Sequence, residues 1–152
     1  MITKIPLQLI NLQGDGFHLS LKAKINHQTI LMILDTGASR TVFDINRIDK
    51  YIDNPSFQIN DQLSTGLGTN SMESNILQID SFILGELQLK KYETVAIDMG
   101  HINQTYQFLE MPLIDGVLGG DILMDFKAKI DYKSMILSLK FPKAKYFFNS
   151  GY

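Results

Sequence analysis

Residues 31–43 read Leu31-Met-Ile-Leu-Asp-Thr-Gly-Ala-Ser-Arg-Thr-Val-Phe43. An apolar run of strand length delivers a carboxylate, Asp35, into a turn of small residues. A carboxylate at the end of a buried strand costs free energy unless a partner or a reaction uses its charge. The arrangement occurs once in the chain. A reaction that needs two such carboxylates must take the second from another molecule.

The flanking sequence gives Asp35 a β context. Phe17, Leu19, Leu21, Ala23 and Ile25 fall on alternate positions, the period of a strand with one buried face. Asn26-His27 is turn chemistry, and 28–34 is the returning strand of a hairpin. An earlier strand is expected over 4–10, ahead of a Gly14-Asp15-Gly16 turn. Asp44 is placed to cap a short helix over 44–52, with Ile45, Ile48 and Ile52 on one face. Strands are expected at 76–84, 87–91 and 93–97. Residues 99–112 lack periodicity and read as a connection. Val117-Leu118 is a short strand end, Gly119-Gly120 a turn, and Asp121 the expected cap of a helix to Phe126. Residues 128–131 and 135–141 close the chain as a hairpin around Tyr132-Lys133-Ser134. The fold class is all-β with one or two short helices, organised as a single domain over 1–152.

Bulk properties narrow the function. The 152 residues suffice for one sizeable core, and 45% hydrophobic with 20% charged residues is ordinary for a globular domain. A net charge of −2 gives no electrostatic case for nucleic acid or an anionic membrane. The chain has no cysteine, which excludes disulfides and thiolate metal sites. Lys4, Pro6 and Gln8 interrupt the apolar N-terminus, so no signal peptide is expected, and no apolar run has the length of a membrane span. A cytoplasmic protein is expected.

Elimination leaves one chemistry for Asp35. A nucleophilic serine needs a base, and His18, His27 and His101 are scattered and read as solvated or structurally satisfied. No cluster has metal-ligand spacing, and no metal or other cofactor is implied. Asp-Thr-Gly-Ala-Ser lacks the further glycines of a dinucleotide loop. Two aspartates a few ångströms apart, by contrast, share one proton, so one acts as base while the other acts as acid. Gly37 suits such a site because its bare backbone can approach the carboxylate and donate to it.

Three stretches together resemble the retropepsin-like aspartic proteases, which include the retroviral proteases and bacterial relatives. Leu34-Asp35-Thr36-Gly37-Ala38-Ser39 matches that family's catalytic motif. Gly66-Leu67-Gly68-Thr69-Asn70 has the place and composition of its flap. Gly116-Val117-Leu118-Gly119-Gly120-Asp121-Ile-Leu123 resembles its second apolar-Gly segment and the short helix after it. The resemblance spans roughly residues 17–140.

The resemblance implies a closed β-barrel, half of a pepsin-like fold, with a flap hairpin. It implies an aspartic endopeptidase with Asp35 as the catalytic carboxylate. Thr36 would lock two active-site loops together, and Gly37 would also bond the substrate backbone. Ala38 and Ser39 would support the loop, and the flap would close over a peptide bound as an extended strand. The second Asp35 would come from a second copy of the chain in a symmetric homodimer. Viral members often have an acidic residue at the Ser39 position and arginine at the Gly120 position, which can pair. Here both are absent together, so neither charge is left unpaired. Asp115-Gly116 is a weaker candidate for a carboxylate supplied within the chain. A peptide-binding module without hydrolysis is the alternative function, since fold does not fix activity.

Overall fold

The computed structural model describes residues 1–53, 58–60, 74–143 and 147–148; the flap-like stretch 66–69 lies outside them. In chain order the elements are β1 (Ile2–Pro6), β2 (Gln8–Asn11), β3 (Phe17–Ile25), β4 (Gln28–Leu34), β5 (Val42–Asp44), β6 (Gln58–Asn60), β7 (Ser74–Leu84), β8 (Leu87–Ile97), α1 (Gly100–Phe108), β9 (Gly116–Leu118), α2 (Gly120–Asp125), β10 (Lys129–Asp131), β11 (Ile136–Lys140) and β12 (Phe147–Phe148).

The β3–β4 hairpin sets the register around Asp35. Asn26 and His27 both have positive φ, 48° and 70°. That pair of left-handed residues is the two-residue turn whose twist matches the flanking strands. It pairs Ile25 with Gln28 and runs without slippage to Leu19 opposite Leu34. Leu19, Leu21, Ala23 and Ile25 are buried, as the alternation predicts, whereas Phe17, expected on the same buried face, is exposed at the start of β3.

The sheet closes on itself. Strands β8, β5, β9, β4, β3 and β7 follow one another, and β7 pairs back onto β8 to make a six-stranded barrel. Closure leaves these strands no exposed edge through which to aggregate. Inside sits a core built on Phe43, Phe82, Ile25, Ile79, Leu84 and Leu118. A smaller three-stranded sheet, β1-β11-β10, packs beside it.

Three local expectations are revised. The strand expected at 4–10 is two strands that part at Leu7: β1 pairs with β11, whereas β2 pairs with β3. Residues 87–91 and 93–97 form one strand, β8, despite a positive φ of 51° at Lys91. Part of the segment 99–112 folds as α1, a helix rather than a connection.

Asp44 is not a helix cap. It ends β5, is 1% exposed, and accepts bonds from Asn46, from the Met99 N–H and from the Asn103 amide. The short 3-10 turn that follows, Ile48–Lys50, has no side-chain cap. Asp44 therefore fastens the start of α1 to the barrel, and a buried carboxylate with these donors is satisfied. No described helix is long and apolar enough to cross a membrane.

Candidate active site

The loop carrying Asp35 arises where two strands flank a third. β4 and β9 run parallel, with Leu34 beside Leu118. β5 lies on the other side of β9, with Val42 beside Val117. The chain leaves β4 at Leu34 and rejoins the sheet at Val42, so residues 35–41 must cross the end of β9.

That crossing is held by backbone bonds. The Asp35 N–H donates to the Leu118 carbonyl at 3.0 Å, and the Gly120 N–H donates to the Ala38 carbonyl at 2.7 Å. The fit requires glycine at 119. A Cβ there would stand 2.5 Å from the Arg40 carbonyl oxygen and 2.9 Å from that of Ala38. The loop backbone occupies the space a side chain would take.

Side-chain bonds complete the lacing. Thr41, itself buried, donates its hydroxyl to Asp121 Oδ1 at 2.7 Å and its N–H to the same oxygen at 2.9 Å. The Gly119 N–H donates to the Thr41 hydroxyl at 3.0 Å. Asp121 sits within α2, whose N-cap is Gly119. Its carboxylate accepts from Thr41 and from the Ile122 N–H at 2.8 Å. It is thus a tie between helix and loop, not the N-cap expected from sequence.

Within this frame Asp35, Thr36 and Gly37 are exposed. The Gly37 N–H donates to Asp35 Oδ1 at 2.9 Å. That bond restrains the carboxylate's rotation on an exposed loop. Among the described residues the Thr36 hydroxyl makes no hydrogen bond. Ile33 and Val117, on the strands beneath, belong to a second apolar cluster that Ala38 and Val42 join. A rigid, accessible carboxylate beside an apolar surface can polarise a water molecule and accept its proton.

Ser39 and Gly120, the two departures from the viral pattern, lie together. With Arg40, Asp121, Met124 and Asp125 they line an open depression of about 290 Å³. Val117 and Leu118 are buried β9 residues that support the loop from below.

Asp115 is engaged elsewhere. Its Oδ1 meets Arg47 Nε at 2.8 Å and the Tyr51 hydroxyl at 2.9 Å, and its Oδ2 accepts the Leu31 N–H at 3.0 Å. The bonds tie the entry of β9 to β4 and to the turn after β5. Sequence reasoning did not identify this ion pair, because Arg47 and Asp115 carry no local signal of their contact. Among the described residues no group of three or more His, Asp or Glu side chains is arranged to hold a metal ion.

The aspartyl protease family model matches residues 21–122, two-thirds of the chain, and spans both the Asp35 loop and β9. The chain belongs to the aspartyl protease family. Its fold is retropepsin-like. A retropepsin-like aspartic protease from Rickettsia conorii is 20% identical and superposes with a TM-score of 0.54, each chain covered over 91% of its length. The EIAV protease in complex with the inhibitor HBY-793 is 19% identical with the same TM-score of 0.54, covering 80% of this chain and 99% of its own. No curated protein sequence matches. At these identities the superpositions establish the barrel of this aspartyl protease family member and leave its site chemistry to the residues themselves.

Proposed function

We propose that the protein is an aspartic endopeptidase working as a symmetric homodimer, with Asp35 of each subunit forming the catalytic pair. The observation that carries this reading is the accessible Asp35 carboxylate, oriented by the Gly37 N–H on a loop laced to β9. The chain supplies this arrangement once, and Asp115, at the other end of the β4–β9 pairing, is committed to Arg47 and Tyr51.

In the dimer the two carboxylates share one proton. The ionised one takes a proton from a bound water as the water oxygen bonds to the peptide carbonyl carbon. The protonated one hydrogen-bonds the carbonyl oxygen as it gains charge. The carbon–nitrogen bond then breaks as a proton reaches the leaving nitrogen. Thr36 bonds across the two-fold axis to its counterpart. Gly37, Ala38 and Ser39 shape the loop, and Val117, Leu118, Gly119, Gly120 and Asp121 brace it. Gly66, Leu67, Gly68 and Thr69 act as the flap over an extended peptide. Residues 1–152 act as one domain in each subunit, and no cofactor takes part.

Asp35→Asn tests the reading. Cleavage of a peptide library should vanish while the circular dichroism spectrum and the oligomeric state persist. Undiminished cleavage by the variant would refute the assignment. A wild-type protein that binds these peptides without cutting them would favour the binding module.

A further inference from the structure

Phe17 is an aromatic residue that the barrel leaves bare. It lies two residues before Leu19 on β3 and shares its face. Leu19 opposite Leu34 is the last pair of the β3–β4 ladder, so Phe17 stands past the end of the barrel and is 61% exposed. On β2, Leu9 pairs with Leu19, lies on the same face, and is also exposed.

Asp35 follows Leu34 at this same end. In the order of the sheet, β3 and β2 lie on one side of β4, and β9 and β5 lie on the other. Because β9 runs parallel to β4, its last residues and the start of α2 are also at the Asp35 end. There Ser39, Gly120 and Met124 help to line the open depression of about 290 Å³. One end of the subunit thus carries an exposed ring on one side of Asp35 and an open depression on the other.

Ring and depression match. An apolar cavity of about 150 Å³ accepts benzene, so the depression has room for a phenylalanine ring. Gly120 has no side chain to fill it. Met124, 81% exposed, offers a thioether that packs well against an aromatic ring. Singly exposed apolar residues are ordinary, but symmetry gives this one a partner. A two-fold axis between two Asp35 loops sets one side of a subunit against the other side of its mate, so each contact occurs twice.

We propose that Phe17 of each subunit seats in the Ser39–Gly120–Met124 depression of a second copy of the chain, and that these two reciprocal contacts hold the Asp35 loops together. The inference rests on the shared-site reading above and adds the surface through which the second copy binds. Buried aromatic side chains are the usual anchors of such interfaces.

The test takes the full-length protein through a concentration series in the analytical ultracentrifuge and follows peptide cleavage on the same samples. Phe17→Asp removes the ring and sets a charge against the partner's Asp121 and Asp125. At about tenfold per ring, and two rings per dimer, association should weaken by about a hundredfold. Cleavage per subunit should fall in step and recover as concentration rises. Phe108→Asp removes an even more exposed ring, 86%, from α1 and should change neither. The chain has no cysteine, so introduced thiols are unique. Phe17→Cys protein mixed with Met124→Cys protein should crosslink through a short dimaleimide, and neither should crosslink alone. Phe17→Asp protein that associates like wild type would overturn the proposal. So would crosslinking of either thiol variant alone with none in the mixture. If wild type dimerises and cleaves no peptide, the endopeptidase reading fails by itself, and sedimentation and crosslinking still decide the interface. Wild type that stays monomeric throughout overturns the proposal and the shared site together.

Discussion

Thr41 and Asp121 are 80 residues apart in sequence and joined by a 2.7 Å hydrogen bond. The bond connects the loop after Asp35 to the helix after β9. The same Thr41 hydroxyl accepts the Gly119 N–H at 3.0 Å. One side chain thus satisfies a backbone donor and a carboxylate at the point where the two motifs cross.

Thr41→Val keeps the shape and removes both bonds. The buried Gly119 N–H loses its partner, at a cost of about 1–3 kcal/mol. In a chain of this size that lowers Tm by roughly 3–9 °C, measurable by calorimetry. Thr41→Ser keeps the hydroxyl and should lose much less. A Val variant as stable as wild type would show that the tie adds nothing.

Gly119→Ala addresses the crossing itself. The added methyl would stand 2.5 Å from the Arg40 carbonyl oxygen, so the loop must shift. Overpacking of this kind costs about 1–3 kcal/mol. Peptide cleavage should fall more steeply than stability, because the displaced loop carries Asp35. Activity and Tm measured on the same preparation would separate the two effects.

The Arg47–Asp115 pair predicts an asymmetry. Asp115 is nearly buried, whereas Arg47 is one-fifth exposed. Arg47→Met leaves a buried carboxylate with only Tyr51 and the Leu31 N–H, and should cost about 2–4 kcal/mol. Pairing it with Asp115→Leu removes the orphaned charge and should recover part of the loss. Urea denaturation of the two single variants and the double variant measures the coupling. Strict additivity would contradict the contact.

Asp98 gives a pH dependence with a defined sign. The Gly100 N–H first, and then the Asn46 amide, hold its carboxyl below the ordinary value of 3.8. A carboxyl lowered by folding stabilises the fold above its ordinary value and loses that contribution as pH falls through the lowered value. Wild type should therefore exceed Asp98→Asn in Tm near about pH 6, and the gap should close toward about pH 2. A gap constant across that range would mean that the charge of Asp98 does not stabilise the start of α1.

The sequence made the Asp35 loop and its hairpin legible because local rules dictate them. Alternation on β3, the Asn26-His27 turn and the small residues after Asp35 each point to the same register. Helix α1 was not legible, because only Asn103 and Tyr106 of it are buried. Both are polar or amphipathic, and their attachments to Asp44 and His18 come from distant parts of the chain. Asp44 and Asp121 looked like caps for a related reason. Asp44 precedes a helical turn and Asp121 lies in the first turn of α2, yet each carboxylate also takes partners that only the folded barrel supplies. The split at Leu7 was hidden because β1 and β2 have similar composition and differ only in the sheet they join.

The central claim is that each subunit supplies one Asp35 to a shared site, and subunit mixing tests it most directly. Wild type at a fixed concentration is equilibrated with increasing Asp35→Asn protein, and the rate of peptide cleavage is followed. Mixed dimers hold one intact carboxylate, so the rate should fall toward zero as the variant comes into excess. A rate that stays constant across the titration would mean that a single chain holds the complete site, and would contradict the account.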